Sequence, residues 1–265
     1  MAYETIIVEK KDGVAKITFN RPDVLNAFNP KMSDELKAAV KDIAADKEVR
    51  VVVMTGAGDR AFMAGADIDK TILRWVEITK KGGKVIDDHK AYFSPTMLEE
   101  LPQPVIAAIN GFAFGMGCEI ALGCDIRIAS ETAQFGQPEI KLGIMCGGGG
   151  SVRMTRIVGK SKAMEMCLTG DPIDVKEAYR VGLVNQVVPA AELENAVNAI
   201  VKRLIFKGAV ALASTKKSIN ATMEMGVKAA IENEAHLFSD IFKTEDANEG
   251  AKAFLEKRKP QFKGK

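Results

Sequence analysis

Residue types that often carry metal, disulfide or nucleophilic chemistry are scarce in this sequence. Its 265 residues include two histidines and four cysteines. Neither type shows metal-ligand spacing, and the scattered cysteines do not form a disulfide framework. We expect no metal centre, a reducing cytoplasmic location, and cysteines that act as small buried hydrophobic residues. The residues concerned are His89, His236, Cys118, Cys124, Cys146 and Cys167.

Long apolar runs and an excess of one charge are absent as well. No segment approaches the roughly 18 apolar residues of a membrane span. The first residues have a strand-like pattern, and no basic stretch leads into an apolar one, so we expect no signal peptide. The formal net charge of +2 is too small to indicate a nucleic-acid partner. The sequence therefore predicts neither membrane nor nucleic-acid binding.

Three common catalytic motifs are also missing. The chain has no Gly-x-Ser-x-Gly elbow, and no P-loop lysine follows the four glycines at 147–150. The glycines at 111, 115 and 117 do not have the Gly-x-Gly-x-x-Gly spacing of a dinucleotide site. A dehydrogenase that binds NAD is therefore disfavoured.

The composition and the hydrophobic pattern predict a globular α/β protein. Hydrophobic residues make up 47% and charged residues 27% of the chain, as is usual for globular proteins. Strand-like and helix-like segments alternate up to about residue 190, which indicates a parallel sheet in residues 1–190. Residues 191–265 have a helical pattern whose apolar faces must pack on this core or on another subunit.

Individual segments can be assigned from their periodicity. We expect a hairpin over 3–10 and 14–20, buried strands over 50–55, 104–110 and 125–130, a short strand over 183–188, and helices over 30–45, 118–124, 161–169 and 175–181. The polar residues 70–93 suit either a mobile cover over a site or a surface excursion. Residues 134–138 are expected to be an irregular connection.

Two glycine-rich segments follow buried strands and lead toward helices. They are Met63–Asp67 and Gly111–Glu119. Small residues allow a ligand to approach the backbone, and amides at a helix start have no internal partner. Two such amides directed at one point would form an oxyanion hole for a carbonyl oxygen. The alternative is that these glycines only make turns or tight packing.

Two glutamates stand out by their sequence context. Glu119 ends the second glycine-rich segment, and Glu139 follows Gly136-Gln137-Pro138. A glutamate in an apolar pocket has a raised pKa and can act as a general acid or base. The residues alone leave open whether the two meet, and each could instead be a helix cap or an ion-pair partner.

Several of these segments together resemble the enoyl-CoA hydratase/isomerase (crotonase) superfamily. The resemblance is carried by four runs in order: 61–68, 104–111, 117–119 and 133–139. It extends from Asn20-Arg21-Pro22 to 253–258, nearly the whole chain. It implies an α/β spiral of ββα repeats in residues 1–190, which would hold the CoA and acyl site. It also implies a helical region, 191–265, used for trimer contacts and for covering the site.

The resemblance also implies an activity and a set of site residues. The substrate is an acyl-CoA thioester, and the chain forms a homotrimer or a dimer of trimers. The backbone amides of Ala66 and Met116 form the oxyanion hole, Glu119 activates water, and Glu139 protonates the α-carbon. The product of this hydration is a 3-hydroxyacyl-CoA, and no metal or redox cofactor is required. The CoA and acyl contacts are Val24, Leu25, Ala27, Ala64, Gly65, Asp67, Ile68, Gly115 and Gly147, with Phe254 and Lys257 at the nucleotide end, often from a neighbouring subunit.

Four departures from the family pattern leave the acyl group open. Met116 stands where glycine is frequent, Cys146 where proline is frequent, and Asp69, with Lys70 beside it, where a lysine often meets CoA phosphate. The segment 70–93 is longer than in the simplest members. Cyclic or branched acyl groups, an enoyl-CoA isomerase and a non-catalytic acyl-CoA-binding subunit are the alternatives to a hydratase of simple enoyl-CoA esters.

Overall fold

The core of the protein is a mostly parallel sheet of six strands. The structure, a computed structural model, describes residues 3–265. The sheet has the order β1-β2-β3-β5-β7-β10, and its first two strands form an antiparallel hairpin. These strands are β1 (Ile6–Lys11), β2 (Val14–Phe19), β3 (Val51–Gly56), β5 (Val105–Ile109), β7 (Ile126–Ser130) and β10 (Gln186–Val188).

A second sheet of four short strands lies on the same chain path. Its order is β4-β6-β8-β9, with β4 (Ala61–Met63), β6 (Phe112–Phe114), β8 (Gln134–Gly136) and β9 (Ile173–Asp174). From β3 to β8, successive strands alternate between the two sheets, so each turn of the chain adds one strand to each. This alternation forms a spiral of ββα turns and confirms the predicted fold class.

Eleven α-helices connect and cover the sheets in the described part of the chain. They are α1 (Pro30–Ala45), α2 (Leu73–Lys80), α3 (Val85–Ala91), α4 (Thr96–Glu100), α5 (Met116–Gly123), α6 (Gly150–Thr169), α7 (Val175–Arg180), α8 (Leu193–Leu204), α9 (Ala209–Ala221), α10 (Val227–Ile241) and α11 (Glu245–Leu255).

The central strands β3, β5 and β7 of the six-stranded sheet are buried on both faces. The buried face of α1, including Leu36 and Ile43, packs in the main core with alternate residues of the strands. On the opposite face, Val197 and Val201 of α8 pack against Val53 and neighbouring strand residues. Burial on both faces explains the continuous apolar runs that the sequence shows in β3 and β5. The predicted boundary at residue 190 stays a prediction, although α8 packs directly on the sheet.

Residues 70–93 contain the mostly exposed helices α2 and α3 with a turn at Gly82, which fits a surface excursion. Two other segment predictions differ from the structure. Residues 134–136 form β8, since pairing with β6 overrides a weak local pattern. The helix predicted from residue 118 begins at Met116, because glycine at Gly117 obscures the helical pattern while allowing α5 to pack closely on β4.

The C-terminal helices α10 and α11 leave apolar side chains exposed. Val227, Ile231 and Phe238 of α10 are 78%, 61% and 61% exposed, and their spacing places them on one face. No helix within residues 3–265 has the length and apolar character needed to cross a bilayer.

A buried lysine joins helix α9 to the core through an ion pair and two hydrogen bonds. Lys216 Nζ lies 2.8 Å from Asp125 Oδ2 and donates to the carbonyl oxygens of Leu98 and Gln103 at 2.6 and 3.1 Å. Burial raises the pKa of Asp125, and Lys216 opposes that rise. The pair is therefore an anchor that the fold needs intact.

We expect Lys216→Met to lower the free energy of unfolding by about 3–5 kcal/mol, because it leaves Asp125 charged and unpaired in a buried place. The loss should shrink at acid pH, where Asp125 takes up a proton. Urea denaturation at fixed protein concentration measures both effects, with the exposed neighbour Lys217→Met as the control. Equal stability of Lys216→Met and Lys217→Met would show that the Lys216–Asp125 pair does not anchor the helix.

Candidate active site

Two glycine-rich loops meet where the short strands β4 and β6 end. The strands pair in parallel, so their carboxyl ends lie at the same edge of the second sheet. Gly65 follows β4 and Gly115 follows β6. A Cβ atom placed on Gly115 would lie 3.5 Å from the Gly65 Cα atom, so the two backbones are nearly in contact. The structure thus brings together the two segments that the sequence singled out.

Each loop carries a backbone amide without a protein acceptor. Met116 N–H is the first of α5, and Ala66 N–H lies between residues whose backbone groups bond to Phe28. Within residues 3–265 neither amide donates a hydrogen bond. Two free donors on touching loops are what an oxyanion hole requires. That they point to one oxygen stays a prediction.

Glycine is required at position 115 for two reasons. Its φ of +49° with ψ of −122° is a backbone conformation that other residues rarely adopt. A Cβ atom there would also lie 2.9 Å from Glu139 Oε1. The Glu139 carboxyl therefore sits directly against the loop that ends in the free Met116 amide.

Glu119 is buried on α5 and held by backbone donors. Glu119 is only 2% exposed. Its Oε1 accepts hydrogen bonds from Gly148 N–H at 2.7 Å and Gly150 N–H at 2.8 Å. Burial raises the pKa of Glu119, while these two amides and the nearby Arg153 guanidinium oppose the rise. The carboxyl has one fixed oxygen, and its other oxygen makes no hydrogen bond within the described residues.

Glu139 lies on a short 3-10 turn, Pro138–Leu142, after β8. Burial, helped by the charge of Glu119 and opposed by its own backbone N–H, raises the pKa of Glu139 to about 7. In the amide orientation that satisfies both ends of Gln137, the NH₂ group donates to both Glu139 carboxyl oxygens at 3.2 Å. A side chain that titrates near neutral pH suits proton transfer to a substrate.

Gln137 lies between the two glutamates. A Cβ atom placed on Gly150 would be 2.9 Å from Glu119 Oε1 and 2.5 Å from the side-chain amide of Gln137. Gln137 is 1% exposed, so this arrangement is buried. Two carboxyls that are twenty residues apart in the sequence are therefore close together in the fold.

The predicted CoA residues after β2 run beside those after β4. Ala64 N–H donates to the Leu25 carbonyl oxygen at 3.0 Å, and Asp67 N–H donates to the Phe28 carbonyl oxygen at 2.7 Å. Val24 and Ile68 are both 47% exposed, which leaves apolar surface on this rim. The backbone of Ala27, between them, accepts a hydrogen bond from the Arg21 guanidinium.

The Asp67 carboxylate is engaged within the protein. It accepts from Lys70 N–H at 3.1 Å and forms an ion pair of 2.9 Å with Arg21. Burial would raise the pKa of Asp67, but the Lys70 amide and Arg21 hold it below its usual value. Asp67 can therefore meet a ligand chiefly through its backbone. The lysine next to it, Lys70, pairs with Asp69 at 2.8 Å.

Phe254 and Lys257 lie at the other end of the chain, at and after the end of α11. Both are exposed, Phe254 by 83%. Within residues 3–265, the hydrogen bonds that join the loops around Glu119 and Glu139 do not involve them. A single subunit thus leaves both residues available to another molecule.

The remaining predicted residues are also located. Gly147 is exposed, and His89 Nε2 would lie 3.6 Å from a Cβ atom placed on it. The Met116 side chain is partly buried and packs against the main core. All four cysteines are unpaired, and Cys118, Cys124 and Cys146 are buried as expected. No group of three potential metal ligands occurs within residues 3–265.

Three further residues matter here that the sequence did not single out. Gln137 contacts Glu139, Arg153 contacts the glycine run, and Arg21 holds Asp67. Gln137 and Arg153 lie within or just after quoted motifs, but polar side chains beside glycines give no signal of what they contact. The carboxylate that binds Arg153, that of Glu99, is 54 residues away in the chain.

The raised pKa of Glu139 predicts a measurable pH dependence of stability. Its folded pKa of about 7 exceeds the ordinary 4.5, so stability falls as pH rises through that window. Solvent screening of this partly exposed group should limit the loss to about 1–2 kcal/mol. Glu139→Gln should therefore gain stability over the wild type at pH 8 but not at pH 4, measured by urea denaturation. Glu131→Gln, at an exposed position, is the control. If the free energy of unfolding depended on pH in the same way in Glu139→Gln and in the wild type, the raised pKa would be contradicted.

Comparison with known proteins places the chain in one family. The family profile described as enoyl-CoA hydratase/isomerase matches residues 9–265. A crotonyl-CoA hydratase from Syntrophomonas wolfei is 42% identical over 266 residues, covering 99% of both chains. A short-chain-enoyl-CoA hydratase from Clostridium acetobutylicum is 43% identical over 260 residues, covering 98% of this chain and 97% of the other.

Solved structures agree with this assignment. The crystal structure of an enoyl-CoA hydratase from Bacillus anthracis has a TM-score of 0.87 at 35% identity, covering 99% of this chain and 100% of the other. A putative enoyl-CoA hydratase from Streptomyces coelicolor has a TM-score of 0.91 at 30% identity, covering 100% and 96%. The fold, the paired glycine loops and these matches agree: the chain belongs to the enoyl-CoA hydratase/isomerase family.

Proposed function

We propose that this protein is an enoyl-CoA hydratase, a lyase that adds water in a syn manner across the double bond of a 2-enoyl-CoA to give a 3-hydroxyacyl-CoA. The observation that carries the proposal is the pair of buried carboxyls beside two free backbone amides. Glu139 Oε1 lies against Gly115, next to the Met116 amide, and Glu119 is held on the adjoining helix. Full-length relatives named as hydratases support the same activity.

The amides of Ala66 and Met116 bind the thioester oxygen. When the water oxygen adds to the β-carbon, electron density moves onto the thioester oxygen. The two donors therefore bind the thioester oxygen more strongly as the reaction proceeds. Stronger binding at the transition state lowers the barrier. The positive end of the α5 dipole acts in the same direction, because Met116 is the first residue of that helix.

Glu119 and Glu139 divide the proton transfers. Glu119 uses its free carboxylate oxygen to take a proton from water, whose oxygen bonds to the β-carbon. Glu139, with a pKa of about 7, delivers a proton to the α-carbon. Their different surroundings support this division, since Glu119 has two amide donors and a nearby cation that favour its anion. Return of a proton from Glu119 to Glu139 restores the starting state, and no metal or redox cofactor takes part.

The CoA part of the substrate follows the rim formed by residues 24–27 and 64–68. The exposed apolar side chains of Val24 and Ile68 and the nearby backbone support this path. Because Asp67 is engaged by Arg21, its contribution is backbone contact. Crotonyl-CoA is the substrate to test first, given the relatives named for crotonyl-CoA and short-chain enoyl-CoA.

The working form is a homotrimer, alone or paired into a hexamer, in the cytoplasm. The exposed apolar face of α10 and the 83% exposed Phe254 support contact between subunits. Unpaired cysteines suit a reducing compartment. In the trimer, Phe254 and Lys257 meet the nucleotide end of CoA bound to a neighbouring subunit.

Replacement of either glutamate tests the assigned roles. Glu119→Gln and Glu139→Gln should each abolish turnover of crotonyl-CoA, because glutamine keeps the size of the side chain but cannot exchange the proton. CoA-ester binding should remain. Loss of the conjugated thioester absorbance measures turnover, and calorimetry measures binding, with Glu131→Gln as the exposed control. Activity like the wild type in either variant would discard the two-acid mechanism.

Solvent labelling separates the hydratase from the isomerase alternative. A hydratase incorporates one oxygen from ¹⁸O-labelled water into a 3-hydroxyacyl-CoA, whereas an isomerase moves the double bond and incorporates none. Turnover without oxygen uptake would reassign the activity. Absence of turnover with every enoyl-CoA ester would favour the non-catalytic subunit.

The contact of Phe254 with CoA gives a separate prediction. Phe254→Ala should raise KM for crotonyl-CoA by about tenfold, the effect of losing one buried aromatic contact, with kcat largely kept. Phe206→Ala is the matched control because Phe206 is 75% exposed on the chain but is not placed near CoA. An equal KM for the two variants would remove Phe254 from the binding site.

A further inference from the structure

The Glu119 carboxyl depends on the conformation of a segment with no side chains of its own. Its two hydrogen bonds come from the run of glycines at 147–150. Cβ atoms at Gly148 and Gly150 would lie 2.5 Å from Glu119 Oε2 and 2.9 Å from Glu119 Oε1, so glycine is needed for this approach. Four glycines in a row have large conformational freedom in the unfolded chain, so their conformation needs outside support.

Arg153 supplies that support from the first turn of α6. Its Nη1 donates to the Gly148 carbonyl oxygen at 3.0 Å. That carbonyl belongs to the peptide between the two that donate to Glu119. Fixing this oxygen therefore limits rotation of both neighbouring peptides. Gly149, with φ of +97°, completes the turn that directs the amides toward Glu119.

The Arg153 guanidinium is itself held in place. Nε and Nη2 donate to the two carboxylate oxygens of Glu99, each at 2.7 Å, and Nη2 also donates to Thr96 Oγ1 at 2.8 Å. The Arg153 side chain is 13% exposed and that of Glu99 is 31% exposed. A two-point bond of this kind fixes the plane of the guanidinium as well as its distance. Helix α4 is thus connected through Arg153 to the glycine turn.

On the basis of the proposed hydratase function, we infer that Arg153, clamped by Glu99, is a positioning residue for Glu119 that acts through the Gly147–Gly150 turn. Arg153 itself does not touch the substrate. It orients the amides that orient the carboxylate, and its charge favours the carboxylate form that accepts a proton from water.

Several titratable groups besides Arg153 surround Glu119, and a pH profile must be interpreted with all of them. One of these is Glu139, whose pKa is raised to about 7. The others are three thiols near the carboxyls, of which that of Cys167 is only half-buried, and an imidazole at the edge of the glycine turn. They are Cys118, Cys146, Cys167 and His89.

The test compares Arg153→Met with Arg156→Met, a change of equal charge at an exposed position on the same helix. Arg153→Met should lower kcat roughly 10-fold to 100-fold, as expected for a small misplacement of a catalytic group. KM should change little. The acid limb of kcat/KM should move to higher pH, because loss of the cation raises the pKa of Glu119. Arg156→Met should match the wild type.

Two further variants separate geometry from charge and guard against misfolding. Arg153→Lys keeps the charge but cannot hold both Glu99 and the Gly148 carbonyl, so kcat should fall while the acid limb stays near that of the wild type. Glu99→Gln releases the clamp, and adding it to Arg153→Met should cause no further loss, since the two residues act as one unit.

Hydrogen exchange provides a readout that is independent of activity. A peptide spanning residues 147–150 should exchange faster in Arg153→Met than in Arg156→Met. The proposal would be overturned if Arg153→Met matched Arg156→Met in hydrogen exchange, kcat and the acid limb of kcat/KM. It would also be overturned if Arg153→Met lowered the folded fraction but left the acid limb unchanged. If the wild type hydrates no enoyl-CoA, the hydratase assignment fails, and the exchange data alone still decide whether Arg153 holds the turn.

Discussion

Parallel pairing of three very short strands is the constraint on which the site depends. β4, β6 and β8 lie side by side, so the loops that follow them leave the same edge of the second sheet. The pairing continues to the glycine itself, because Gly115 N–H donates to the Gly136 carbonyl oxygen at 3.0 Å. Strands of this length are weak alone. The spiral supports them by pairing them with one another in the second sheet.

The two carboxyls show how one pocket can hold groups with different tendencies to ionise. Both are buried, and burial opposes a charge on either. Glu119 has two amide donors and a guanidinium nearby, whereas Glu139 has the negative charge of Glu119 as its neighbour. Both pKa values are therefore raised, but only the rise at Glu119 is opposed by two neighbouring amides and a cation. The backbone of the glycine run therefore contributes as much to the chemistry as the side chains do.

The sequence was informative wherever local patterns and family motifs decide the structure. Helix α1 was predicted at its observed bounds because its apolar spacing is regular. The buried strands were clear for the same reason. The strand β8 was missed, since its pairing with β6 is a long-range contact that three residues cannot reveal.

Prediction of the site was limited in a similar way. Motifs identified both glutamates and both amide-bearing loops. They did not show that Gly148 and Gly150 hold Glu119, because a glycine run has the same appearance in a flexible turn and in a rigid one. The Arg153–Glu99 pair joins two helices with no shared motif, and the use of Asp67 by Arg21 depends on a contact across 46 residues. Such bonds follow from the assembled fold.

Helix α6 is interrupted at Gly159, whose φ of +80° and ψ of +160° lie outside the helical range. The portion before this glycine carries Arg153, and the portion after it presents Met164 and Leu168, which are 48% and 66% exposed. A continuous helix would transmit any twist at its outer end to the glycine turn. With the interruption, the outer portion can be remodelled over evolutionary time to suit a new neighbour, and the register of the inner portion is left untouched.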